Sequence, residues 1–288
     1  MKKSTLRILL IPLFLIFLGI FIYSGVRLWL YYSDAGEADT AYQSLQQLKQ
    51  EAVKEDAAAP TVDLAPFENM TPDELEELEE AEEIPYTGIT NPVSNETTYL
   101  LPEFEALYAM NPDLVGWITV PGTRIDYPVV QRPTQKDYYL YRNFQGEHSY
   151  WGCIYVRESC DVFEPSDNVV IYGHRMQDGS MFADLGLYER YSFWESHKTL
   201  QFDTLRGRHE YEIVCVIRIS ATTDNYPYHT FTNAKDELDF FSFWAQCQKQ
   251  AIYDTGIEVH YGDKLISLYT CEYSQRHGRL VVIARRVD

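Results

Sequence analysis

The first pattern along the chain is a long run without charge. Met1 to Arg7 is basic, Ile8 to Val26 then holds nineteen positions with no charged residue, and Trp29, Tyr31 and Tyr32 close the segment. A helix rising about 1.5 Å per residue would use this run to span nearly the ~30 Å hydrocarbon layer, with aromatic residues at its edge. The run is longer than the ~7–15-residue apolar core of a cleaved leader, and no A-x-A-type site follows Ser24-Gly25. Residues 1–33 therefore read as a cytoplasmic tip and an uncleaved single-pass anchor. The basic flank stays inside, and the rest of the chain lies outside the cell.

The pattern then turns polar. Residues 36–58 predict a polar helix with a thin apolar stripe (Tyr42, Leu45, Leu48, Val53), which Pro60 interrupts. TPDELEELEEAEE, residues 71–83, predicts a second helix with Thr71 as N-cap and Pro72 at its first position. So acidic a run cannot bury a core. Residues 34–99 are thus expected to form an acidic, partly helical, solvated stalk that supplies no site residue, with Pro85, Gly88, Pro92 and Asn95 marking its end.

From residue 100 to 288 the pattern is that of a compact domain. A short helix (PEFEALYAMN) leads into two strand-like runs around Pro121-Gly122. WGCIYV, NVVIYG, YEIVCVIRI, KLISLYT and RLVVIAR follow as further strands. One amphipathic helix, Asp236 to Ile252, interrupts them, with Leu238, Phe241, Ala245 and Ile252 as inward candidates. Many short strands with turn signals and few helices predict a mainly β fold, a closed or nearly closed barrel.

Charge changes this picture only by its location. The net charge is −19, and between Tyr31 and Leu100 seventeen Asp and Glu face two Lys, a net of −15 that leaves about −4 for the remainder. This argues against nucleic acid and describes the stalk rather than a site. The five cysteines, Cys153, Cys160, Cys215, Cys247 and Cys271, include no C-x-x-C pair, which disfavours structural zinc. Cys215 and Cys247 lie in apolar runs and read as buried small hydrophobes. A Cys153–Cys160 disulfide is open to an exported chain, and the odd count leaves a free thiol.

That thiol points to the last hairpin, LISLYTCEYSQRHGRLVVIARR. If its two apolar runs pair, Cys271 ends one strand and Arg279 begins the next, with EYSQRHG as the loop. A cation beside a thiol lowers its pKa, and a guanidinium suits an oxyanion or a carbonyl. An inert buried Cys beside a surface Arg is the plainer alternative. His174, where NVVIYG emerges into HRMQDGSMF, is the histidine in a strand-end setting; the other six, including His277 at the hairpin tip, lie in polar surroundings. Cys with His forms an activated nucleophile with its acid–base partner. His174 precedes Cys271 by 97 residues, the reverse of the papain order.

YGH, then TCE with an Arg eight residues after the Cys and an apolar strand behind it, resembles the sortases, membrane-anchored cysteine transpeptidases of Gram-positive bacteria. The resemblance runs from about Leu101 to the end. NPDLVGWITVPGTRIDYPVVQ, NVVIYGHRMQDGSMF, TTDNY and SLYTCEY are similar to class B segments, and the helix at 236–252 looks like the class B insertion before the cysteine strand. The resemblance implies a closed barrel of about eight strands with short N-terminal helices. It implies that Cys271 is the nucleophile that forms a thioacyl bond to a threonine, His174 the general acid and then base, and Arg279 the carbonyl or oxyanion contact. Asp126, Val130, Thr222, Tyr226 and Pro227 match groove positions, together with Tyr269, Thr270 and Glu272 around the nucleophile. Tyr269 departs from the small residue, often Ser, found there in class B. The implied reaction cleaves a C-terminal sorting signal after Thr and passes the surface protein to a peptidoglycan amine. Alternatives are a pilin-polymerising enzyme with a Lys acceptor and a non-catalytic envelope-binding module. No metal or other cofactor is implied.

Overall fold

The structure, a computed structural model, describes residues 3–58, 88–90, 97–220, 226–272 and 278–288. Helix α1 (Lys3–Ala58) is one unbroken helix of 56 residues, and it is long and apolar enough to cross a membrane by length and composition. A two-stranded ladder, β1 (Gly88–Thr90) and β2 (Thr97–Tyr99), precedes α2 (Pro102–Met110), which starts on a proline whose missing N–H would have been unpaired anyway.

The remainder closes into an eight-stranded barrel. Its strands are β3 (Leu114–Thr119), β4 (Asp126–Val130), β5 (Ile154–Val156), β6 (Asn168–Tyr172), β7 (Thr199–Thr204), β8 (Glu210–Ser220), β9 (Leu265–Glu272) and β10 (Gly278–Arg286), in the ring order β10-β8-β7-β3-β4-β5-β6-β9. Two pairs, β4–β5 and β6–β9, are parallel and the rest antiparallel. Closure leaves no free edge. β7 was not legible as a strand: in TLQFDT the apolar positions are few, and Asp203 and Thr204 are buried by neighbours rather than by their own character. Helix α3 (Tyr191–Ser196) precedes β7, and α4 (Glu237–Lys249) lies against β8.

α4 turns a different face inward from the one the sequence suggests. Leu238 and Phe241 are exposed, whereas Phe240, Phe243, Trp244 and Cys247 are buried. The latter set follows the i, i+3, i+4, i+7 spacing and offers more area to bury. The possible disulfide is absent: Cys153 and Cys160 are both free and buried. The Cys153 sulfur lies 3.5 Å from the Tyr42 hydroxyl, and that of Cys160 accepts from the Val170 N–H at 3.4 Å.

The expected solvated character of residues 34–58 is also overturned, while 71–83 lies outside the described residues. Ala38, Tyr42 and Leu45 are buried against the barrel. Tyr42 stands edge-on to Tyr127, ring centres 5.2 Å apart, and its hydroxyl donates to the Gly152 carbonyl at 2.6 Å. Gln46 donates to the Asp126 carbonyl at 2.7 Å. Asp34 accepts from the Ser149 hydroxyl at 3.0 Å and the Tyr150 N–H at 2.7 Å. The Lys49 ammonium sits 4.8 Å from the Trp117 ring centre and 3.6 Å from Asp203, whose carboxyl burial pushes up against the opposing pull of Lys49. Even a thin stripe is buried here, because Ala38 one turn before Tyr42 extends it and the polar groups around it meet fixed partners on the barrel instead of water.

Candidate active site

The site forms where three neighbouring strands of the barrel end together. β6 is a buried apolar run followed by Gly173, where a Cβ would fall 2.6 Å from both Ile154 and Phe182, so only glycine passes here. The next residue is His174. β6 and β9 run parallel in the register Val170↔Ser267 to Tyr172↔Tyr269, and the Gly173 N–H continues the ladder onto the Tyr269 carbonyl at 3.1 Å. Two residues further in that register, His174 stands level with Cys271. On the other flank of β9, Arg279 of β10 is the antiparallel partner of Cys271. Imidazole, thiol and guanidinium therefore occupy one row across three adjacent strands, which lie about 4.8 Å apart.

The row opens on a cavity of about 560 Å³. Its floor continues the same sheet face, with Tyr155, Tyr172 and Tyr269 side by side at ring-centre distances of 5.3 and 5.6 Å. The Tyr172 hydroxyl accepts from Arg157 at 3.2 Å, and the Tyr155 hydroxyl donates to Asp137 at 3.1 Å. Tyr269 is buried, and its stacking on Tyr172 closes the space that a small residue would leave. Tyr226 and Pro227 form part of the wall.

Cys271 is half-buried, unlike the other four cysteines, and is the one thiol among the described residues that meets the cavity. His174 is held by its Nε2, 2.7 Å from the Leu140 carbonyl. A carbonyl only accepts, so Nε2 carries the hydrogen and Nδ1 is left with its lone pair in the neutral ring. Burial lowers the His174 pKa below its ordinary 6.5, with the Leu140 contact acting in the opposite sense. Tyr141 lies over the imidazole, 5.5 Å between ring centres. The opposite wall is electropositive. Burial lowers the pKa of His229, and Arg157, Lys136 and Arg279 push it further in that direction.

Of the residues singled out from sequence, the cavity brings together His174, Cys271, Arg279, Tyr226, Pro227, Tyr269 and Thr270. The Thr270 hydroxyl itself is buried and finds no partner among the described residues. Two others lie elsewhere. Asp126 accepts from the Trp117 indole at 2.6 Å and the Thr119 hydroxyl at 3.0 Å beneath α1, and Val130 is fully buried in the core. Thr222 and the side chain of Glu272 lie outside the described residues. Sequence reasoning missed Tyr141, Tyr155, Arg157, Tyr172 and His229. Only Tyr172 had a local signal, since it shares a strand face with His174 by its i−2 spacing.

A thiol, an imidazole with a free ring nitrogen and a guanidinium on one edge define an enzyme of cysteine acyl transfer. The sortase domain matches residues 118–287. Sortase B of Staphylococcus aureus (strain NCTC 8325 / PS 47) is 32% identical over 195 residues, 67% of this chain and 78% of that protein. Sortase B of Listeria monocytogenes serovar 1/2a is 34% identical over 189 residues, 64% and 74% of the two chains. The solved Staphylococcus aureus sortase B–substrate complex superposes with a TM-score of 0.66 at 25% identity, covering 89% of this chain and 99% of that one. The chain belongs to the sortase family, in its class B. It is a cysteine transpeptidase of the cell wall.

Proposed function

We propose that the chain is a membrane-anchored transpeptidase, with α1 in the membrane and the barrel outside. It cleaves a sorting signal after a threonine and transfers the acyl part to a peptidoglycan amine. The observation that carries this reading is the row His174–Cys271–Arg279 on the wall of one cavity. The thiol proton passes to His174 Nδ1 as Sγ attacks the threonine carbonyl carbon. Arg279 meets the negative charge that develops on the carbonyl oxygen. Collapse expels the amine, which takes the proton back from Nδ1, and a thioester on Cys271 remains. The acceptor amine then attacks that carbonyl, gives a proton to Nδ1, and the thiolate leaves and is reprotonated. The Leu140 carbonyl supports the imidazolium at each stage, because Nε2–H keeps donating to it.

The test is mass spectrometry of the full chain incubated with a library of Pro-x-Thr peptides, with and without a glycine-based or lysine-based amine. A thioester adduct on Cys271 that disappears on adding one amine is expected, and the better amine separates cell-wall from pilin transfer. Cys271→Ala and His174→Ala are expected to abolish turnover. Arg279→Lys is expected to lower kcat about 100-fold with little change in KM, since a point charge replaces a planar fork at an oxyanion. Turnover surviving in Cys271→Ala would remove the thioacyl mechanism.

A further inference from the structure

We infer that the loop spanning residues 142–151 is a membrane-seating surface, which rests the barrel on the phospholipid headgroups of the bilayer that α1 crosses. The inference depends on the proposed reading of α1 as the anchor. α1 is one helix from the apolar run into the barrel contact, so its rise is a ruler for height above the membrane. The run without charge ends at Val26. Contact with the barrel begins one residue later, where the Arg27 guanidinium lies 5.9 Å from the Tyr150 ring centre. Tyr31 packs on Trp151 with ring centres 4.9 Å apart, and Asp34 ties down Ser149 and Tyr150.

At about 1.5 Å per residue, Arg27, Tyr31 and Asp34 stand roughly 1.5, 7.5 and 12 Å beyond the hydrocarbon edge when α1 follows the membrane normal. The headgroup layer is about 5–8 Å thick on each side. Tyr150 and Trp151 are therefore fixed at headgroup depth, with no length of chain left for a stand-off. The chemistry fits that depth. Gln145, Glu147 and His148 are exposed and polar, so the loop suits the headgroup zone rather than the hydrocarbon. Between loop and helix lies a cleft of about 760 Å³ lined by Tyr23, Arg27, Leu28, Glu37, His148 and Tyr150. Arg27 there offers a cation to a lipid phosphate, and Tyr23 lies on the bilayer side of it.

The seat reaches the active site through one hydrogen bond. The Ser149 N–H donates to the Tyr141 carbonyl at 3.1 Å, and Tyr141 covers His174. The Tyr141 side of the cavity, beside His174, is thereby tied to the seat.

The experiment uses the full chain carrying Cys271→Ala, whose remaining four cysteines are buried. One variant adds His148→Cys on the loop. A second adds Ala106→Cys on the exposed face of α2, whose Phe104 meets Lys49, eighteen residues and about 27 Å further along α1 than Tyr31. Each is labelled with an environment-sensitive fluorophore and reconstituted into phosphatidylcholine–phosphatidylglycerol vesicles with or without headgroup-spin-labelled lipid. The expected result is several-fold quenching at position 148 and none at 106. No quenching at 148, while the protein withstands an alkaline wash, overturns the seat and leaves the anchor standing. Equal quenching at both positions overturns it as well, since the barrel would then lie on its side. Loss of the protein from the vesicles in the wash overturns the anchor and the seat together.

Discussion

His174 is a residue at which two environmental effects oppose each other. Burial disfavours the imidazolium, while the Leu140 carbonyl favours it, and burial prevails. With a pKa below 6.5, fewer than about one molecule in four carries a charged His174 at pH 7. Because the folded value lies under the unfolded one, the group's contribution to stability is intact above pH 6.5 and is lost as pH falls through the folded value. NMR titration of the His174 ring protons in Cys271→Ala should give a midpoint below 6.5; a midpoint above it would mean that the ring is better solvated or closer to an anion than the structure has it. Tyr269 is the second decisive residue. It is buried on Tyr172, so Tyr269→Ser should cost about 3 kcal/mol in denaturant unfolding, as expected for emptying an aromatic site. The same change deepens the cavity floor and should shift peptide preference toward larger side chains at that point of the substrate. Unchanged selectivity would place the substrate away from Tyr269.

At the scale of elements, the site is a property of registers rather than of any single strand. The hairpin that pairs Cys271 with Arg279 was legible because two β-branched runs flank a polar loop, and antiparallel neighbours with a short connection are local. A β-barrel and α2 were legible from the spacing of short apolar runs and turn signals, and its class B character from the resemblance of motifs such as NVVIYGHRMQDGSMF and SLYTCEY. The β6–β9 pairing was not, because a parallel neighbour 97 residues away leaves no periodicity in the chain between. Arg157 and His229 reach the cavity only through such long-range closure. Asp126 and Val130 were misplaced because a motif fixes the strand but not which neighbour covers each face: α1 covers the Asp126 side, and the core takes Val130. α1 departs furthest from the expectation of a solvated stalk, since a thin stripe can be buried when its partner surface is already shaped. Leu45 is almost fully buried there. Leu45→Ala should therefore destabilise the barrel domain by about 2–4 kcal/mol in urea unfolding. A change within ±0.5 kcal/mol would return this segment to the role of a spacer.

The whole molecule is best described by how helix α1 and the barrel share one core. The charge that dominates the composition sits between Tyr31 and Leu100, yet that interval includes a helical part that docks on the barrel from Asp34 to Lys49, as well as an acidic remainder. The docked part supports the site indirectly. Tyr42 holds the Gly152 carbonyl, the Cys153 N–H donates to the Tyr139 carbonyl at 3.1 Å, and the next carbonyl in the chain, that of Leu140, holds His174. A soluble chain beginning at Ser33 retains all of these contacts, whereas one beginning at Leu100 loses the burial of Ala38, Tyr42 and Leu45 and uncovers Tyr127 and Trp117. At about 1.5–3 kcal/mol for each large side chain, the loss is roughly 4 kcal/mol, or on the order of 10 °C in melting temperature for a domain of this size. The shorter chain should also lose turnover beyond what its melting explains, measured well below its transition, because the segment that orients His174 has lost its support. Equal melting temperatures and equal kcat/KM in the two chains would show that the barrel and its site are independent of α1.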